Sequence, residues 1–123
     1  MVAEAERLFA HLYSLHLLPD LRTYAALLHA YAQKGMDAQA EKTFGDLGRM
    51  GLVPDVYCYN ALMEAYSRAG RAAGVEEVYM AMEREKCGPD LATFHIRMEA
   101  FGKEGSWQGT ALTAAALFGI LCL

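Results

Sequence analysis

With 123 residues, 54% of them hydrophobic and 21% charged, the chain has the length of one ordinary domain and a composition that excludes intrinsic disorder. Its net charge of −4 excludes the overall basic excess that phosphate binding commonly brings. Cys58, Cys87 and Cys122 form no CxxC pair and no even-numbered framework, which argues against a zinc site or a disulfide scaffold and for a reducing compartment.

The opening stretch MVAEAERLFAHLY carries acids from Glu4 onward, and it has neither the charged-then-apolar order of a secretory signal nor the Arg-rich character of a transit peptide. Ala5, Leu8, Phe9 and Leu12 share one helical face, so residues 1–20 are expected to form a helix. Tyr24, Leu27, Leu28 and Tyr31 stand at i, i+3, i+4 and i+7 and predict a second helix. A third follows on the stripe Ala40, Phe44 and Leu47. Both patterns then return, as Tyr59, Leu62, Met63 and Tyr66 and as Val75, Tyr79 and Met82. These aromatic residues are expected in the core, and Glu76, Glu77, Glu83 and Glu85 on a solvated outer face. Gly35 and Gly70 suit the left-handed position that ends a helix, Asp20, Asp55 and Asp90 suit N-caps, and the proline before each aspartate discourages the preceding helix from running on. The uncharged end TALTAAALFGILCL, residues 110 to 123, is shorter than the roughly twenty residues a bilayer requires, so no membrane span is expected and it reads as a divergent apolar helix or tail.

All three prolines, Pro19, Pro54 and Pro89, precede Asp and stand 35 residues apart. Tyr24, Tyr59 and Phe94 keep the same register, as do Ala30, Ala65 and Ala100, Tyr31, Tyr66 and Phe101, and Gly35, Gly70 and Gly105. Fixed self-similarity at this period marks a stacked-repeat architecture in which each unit hides its apolar face only against its neighbours. The expected division is a second helix of a truncated repeat over 1–20, repeats over 21–55 and 56–90, the first helix of a partial repeat over 91–105, and the divergent segment 106–123. The fold class is therefore all-α, about six to seven antiparallel helices.

A 35-residue helix-turn-helix unit that closes in Pro-Asp and opens as Val56 to Leu62, VYCYNAL, resembles the pentatricopeptide repeat of the plain 35-residue type, over residues 1 to about 105. The tetratricopeptide alternative has a 34-residue period and a W-x2-L-G-x2-Y core that these units lack. The resemblance implies a right-handed α-solenoid that recognises single-stranded RNA one base per repeat, in a mitochondrion or chloroplast, as part of RNA processing, editing, stability or translation. It places base readout on the fifth residue of a unit and on its closing aspartate, which here gives Asn60 with Asp90, Ala25 with Asp55, and His95 without a closing partner. An amide can accept from the N3–H of uracil and donate to its carbonyl, so Asn60 with Asp90 resembles a pyrimidine-reading pair. The resemblance further implies base stacking at Arg22, Tyr57 and Ala92 and phosphate contact at Arg68 and Lys103.

Simpler roles stand beside these. Asp55 and Asp90 are sufficiently explained as helix caps, Asn60 as a polar residue of a first turn, Tyr57 as a surface aromatic, and Arg68 and Lys103 as cations at a helix end that complement its dipole. His11, His16, His29 and His95 have no ligand spacing, and no nucleophile elbow, phosphate loop or metal-holding acidic cluster is present. The expectation is a non-enzyme without cofactor or metal. With stacking worth about 1 to 3 kcal/mol per base, two complete units reach only about millimolar affinity, so the chain reads as part of a longer array. Uncapped solenoid ends predict self-association. The alternative function is a protein-interaction scaffold whose concave face holds a peptide.

Overall fold

The structure, a computed structural model, describes residues 2–104. Over this span six helices follow one another: α1 (Val2–Ser14), α2 (Leu21–Gln33), α3 (Asp37–Arg49), α4 (Val56–Arg68), α5 (Ala72–Arg84) and α6 (Leu91–Glu104). The architecture is an all-α helical-repeat solenoid. Helices α2, α4 and α6 pack side by side as one layer, while α3 bridges α2 and α4, and α5 bridges α4 and α6. In that arrangement α4 touches both layer neighbours and both bridging helices, and its residues Cys58, Tyr59, Leu62, Met63 and Ala65 are buried.

The helix ends follow from local chemistry. Asp20, Asp55 and Asp90 each accept, through the side chain, the backbone N–H three residues on, from Thr23 at 2.9 Å, Cys58 at 3.0 Å and Thr93 at 3.0 Å. At the other end Gly35 and Gly70 adopt φ of +66° and +78°, and Met36 and Arg71 donate back to the carbonyls of Tyr31 and Tyr66, the paired pattern that satisfies a helix terminus. A second left-handed turn recurs at the same period after each of α1, α3 and α5, on His16, Gly51 and Lys86.

Between layers the repeat is carried by aromatic pairs. Phe9 meets Tyr24, Phe44 meets Tyr59, and Tyr79 meets Phe94, with ring centroids 5.2, 5.1 and 5.9 Å apart in edge-on or tilted geometry. Tyr24, Tyr31, Tyr59, Tyr66 and Tyr79 are buried as expected, and Phe44 is partly buried against the same core. Leu8, at the same register as the buried Thr43 and Val78, is 69% exposed instead, because among the described helices α1 packs only against α2.

A polar rung accompanies the aromatic one. The Tyr31 hydroxyl donates to Glu6 at 3.0 Å, and burial followed by that carboxylate pushes its pKa up to about 12. One period later Glu41 stands beside Tyr66 and acts on it in the same direction. At the third step Phe101 has no hydroxyl, and Glu76 takes a different partner. Arg97, which occupies the register of the buried Leu27 and Leu62, donates Nε to Glu76 Oε1 at 2.7 Å and Nη2 to Oε2 at 3.0 Å, its guanidinium lying 3.8 Å from the Tyr79 ring centroid. This corrects the expectation for Glu76, which is drawn into an ion pair with a buried arginine rather than left on the solvated face with Glu77, Glu83 and Glu85. Arg97→Ala is expected to lower stability by about 2 kcal/mol, the range for charged hydrogen bonds with one partner partly solvated. Arg97→Leu with Phe101→Tyr restores the rung of the earlier units and should recover most of that loss in urea unfolding followed by circular dichroism. An unchanged midpoint in Arg97→Ala would show the pair to be inert.

Candidate functional site

An open groove of about 470 Å³ runs across the layer α2–α4–α6 near the helix N-termini. Side chains that recur at the 35-residue period arrive there together. Arg22, Ala25 and His29 come from α2, Tyr57, Asn60 and Glu64 from α4, and Asp90 and Ala92 from the cap and first turn of α6. Of the residues expected to act, the structure therefore brings the series Arg22, Tyr57 and Ala92 to one wall with Ala25, Asn60 and Asp90. Tyr57 is 71% exposed, its ring uncommitted to the core, whereas Asn60 is only 8% exposed and lies on the floor.

Asn60 and Asp90, thirty residues apart in sequence, are bonded to each other. Asn60 Nδ2 donates to Asp90 Oδ1 at 3.0 Å, and the Thr93 hydroxyl lies 2.7 Å from Asn60 Oδ1. The Asn60 amide beside Asp90 holds its carboxyl below the usual carboxylate range, assisted by the Thr93 backbone N–H. The carboxylate is thus ionised at neutral pH and pins the amide from one side. Asn60 lines the groove, and beyond these two bonds its amide has one further N–H and one further carbonyl lone pair.

The other expected residues sit differently. Asp55 caps α4 and does not line the groove. His95 lines a separate apolar depression with Leu91, Phe94 and Met98, and its Nε2 is 3.6 Å from Glu99. Arg68 bonds Glu64 through Nε at 3.2 Å and Nη2 at 3.0 Å, and it is Glu64 rather than Arg68 that reaches the groove. Lys103 lies in the last turn of α6, but its side chain falls outside the described residues, as does the apolar segment 106–123. Sequence reasoning passed over Thr93 and Glu64, and it weighed His29 only as a metal ligand. No spacing signal singles out Thr93, since the residues three places after the capping aspartates read Thr23, Cys58 and Thr93.

Among the described residues no group of three or more His, Cys, Asp or Glu side chains is placed to hold a metal ion, and no helix is long and apolar enough to cross a membrane. Burial pushes the Cys58 thiol up to about 12, so it stays protonated at neutral pH.

Comparison with known proteins agrees with this arrangement. No curated protein matches the chain. Among solved structures it is similar to the pentatricopeptide repeat protein PPR10 in complex with an 18-nt psaJ RNA element, at 24% identity and a TM-score of 0.85 over 93% of this chain, and to PPR10 from maize, at 24% identity and 0.83 over 93%. It is also similar to the PPR domain of Arabidopsis thaliana protein-only RNase P 1 in complex with tRNA, at 14% identity and 0.79 over 98%. The chain spans 17% and 16% of the two PPR10 chains and 62% of the third. The family model of the pentatricopeptide repeat domain matches residues 7–48 and 42–104. Together these matches take in most of the chain, and the protein belongs to the pentatricopeptide repeat family.

Proposed function

We propose that the chain binds single-stranded RNA through the groove across α2, α4 and α6, as two to three units of a helical-repeat array, and that it acts by binding rather than by catalysis. The observation that carries this reading is the Asn60–Asp90 pair on the groove floor, flanked by the exposed Tyr57 ring and by Arg22. Such a floor offers a base one donor and one acceptor, matched by the N3–H and a carbonyl of uracil, while Tyr57 offers a face on which the base stacks. Solved relatives of the same fold are seen with an 18-nt RNA element and with tRNA. At the unit before, Ala25 presents no hydrogen-bonding atom, so discrimination there is weak. In the array's setting, a mitochondrion or chloroplast as the family resemblance implies, the role is sequence-dependent contact with transcripts during processing, editing, stabilisation or translation.

Titration of short labelled homopolymers at low salt tests the reading. Dissociation constants around millimolar are expected, because two stacked bases supply roughly 2 to 6 kcal/mol. U-rich strands should bind more tightly than A-rich strands, and Asn60→Ala should abolish the difference, a change of about 1 to 3 kcal/mol for one bidentate base contact. Equal binding of every strand by the unmodified protein would remove base readout. Saturable binding of a Lys- and Arg-rich peptide at the Glu64 and Asp90 carboxylates would put the scaffold function in its place.

A further inference from the structure

We infer that Thr93 is a positioning residue for base readout: its hydroxyl donates to the Asn60 carbonyl oxygen and anchors the amide in the orientation that the Asp90 carboxylate selects, so that one edge of the amide meets a base. The inference rests on the proposal that Asn60 reads a base. It places part of the specificity of one unit in the third residue of the next.

The placement of protons fixes the amide. Asn60 Nδ2 and Asp90 Oδ1 are 3.0 Å apart, and Asn60 Oδ1 and Thr93 Oγ1 are 2.7 Å apart. A 2.7 Å approach of two oxygens requires a proton between them, and a carbonyl oxygen has none to give, so the Thr93 hydroxyl donates. Rotating the amide by half a turn would set its oxygen 3.0 Å from an ionised carboxylate with no proton between. Only one orientation satisfies both contacts. Asp90 Oδ1 lies 3.0 Å from the same hydroxyl, but that oxygen already accepts from Asn60 and from the Thr93 backbone, and giving it the only hydroxyl proton would leave the 2.7 Å contact unfilled. Thr93 is fully buried, so water does not take its place.

The hydroxyl takes part in the capping of α6, accepting the Asp90 backbone N–H at 3.1 Å, but a cap of this kind does not require it. The capping bond uses the Thr93 backbone N–H, and in α4 the same bond is made by Cys58, which has no hydroxyl and is equally buried. The residue thirty-three positions before Cys58 is Ala25, which has no amide to hold, whereas the residue thirty-three before Thr93 is Asn60. Thr23, at the same register of α2, also carries a hydroxyl, which donates to its own capping carboxylate at 2.8 Å; in α6 the Thr93 hydroxyl additionally meets the Asn60 amide of the preceding unit.

Three variants test it: Thr93→Cys, which copies the buried Cys58 of the preceding unit, Thr93→Val, and Thr93→Ser as the conservative rescue. Two readouts are taken on the full chain. The first, without RNA, is hydrogen exchange of the Asn60 side-chain amide protons by NMR, with thermal melting followed by circular dichroism as the check on folding. The second is the ratio of affinities for U-rich and A-rich strands. Thr93→Cys and Thr93→Val should speed Asn60 amide exchange by about tenfold and shrink the U-to-A ratio roughly threefold to tenfold, the range set by one hydrogen bond, while Thr93→Ser keeps both. Unchanged amide exchange in folded Thr93→Cys would overturn the inference, as would loss of both readouts in Thr93→Ser. If Thr93→Val does not fold, Thr93→Cys alone decides. A wild-type protein with no base preference would end the RNA reading, and the inference with it as a statement about readout, yet amide exchange would still separate that failure from failure of the hydroxyl contact.

Discussion

Truncating Met63 to alanine should destabilise the solenoid by about 3 kcal/mol, within the range for a buried large-to-small change. Met63 is fully buried on α4, the helix that touches both layer neighbours and both bridging helices. A void at this place removes packing on several sides at once. Stacked-repeat proteins derive their cooperativity from interfaces between adjacent units, so a defect in the central helix should also broaden the transition by partly uncoupling the two ends. Met80, the same residue type but 59% exposed on α5, provides the control, and Met80→Ala should stay within about 0.5 kcal/mol of the parent. Urea unfolding of the two variants side by side checks both statements. Equal effects would mean that α4 is not the centre of the cooperative unit.

Gly35→Ala should be nearly as damaging, at about 2 to 3 kcal/mol, and more so than Gly70→Ala. Both glycines have positive φ, where a Cβ costs about 1 to 2 kcal/mol in any surroundings. They differ in what the added atom would meet. At Gly35 it would lie 3.3 Å from Arg68 Cβ and 3.4 Å from the Arg68 carbonyl carbon, so α4 or the turn must give way, whereas at Gly70 nothing lies within 4 Å. Thermal melts that rank the two variants the other way would show that strain in the turn, not the close approach of α2's end to α4, sets the cost.

The parts of this molecule that could be read from the chain alone are those in which one residue type does one job at a fixed period. Proline before aspartate, the capping carboxylates and the aromatic stripes are of that kind, and each reports its own local geometry. The second left-handed turn escaped notice for the opposite reason: only Gly51 advertises it, while His16 and Lys86 adopt the same backbone with side chains that give no hint of it. Arg97 escaped because a charged residue at a core register looks like an exception until Glu76 and the missing hydroxyl of Phe101 are seen beside it. At the groove, the composition of the wall was legible, since Arg22, Tyr57, Asn60 and Ala92 are placed by periodicity. The wiring of the floor was not legible, because the bond between Asn60 and Thr93 joins different units and depends on side-chain direction rather than on spacing. Likewise Arg68 carries the right charge at the right place in the unit, yet the preceding turn of its own helix supplies Glu64, which engages it.

The Glu76–Arg97 pair bears on how such an array could be rebuilt. Arrays of this kind invite grafting, in which one brick is cut out and another inserted at the same junction. A brick carrying arginine at the Leu62 register would arrive beside Glu41 and Tyr66, where the acid already has a hydroxyl neighbour, and a brick carrying leucine and phenylalanine at the Arg97 and Phe101 registers would strand Glu76. Junctions in this chain are keyed, and an exchange that respects the 35-residue frame can still join two halves that do not fit.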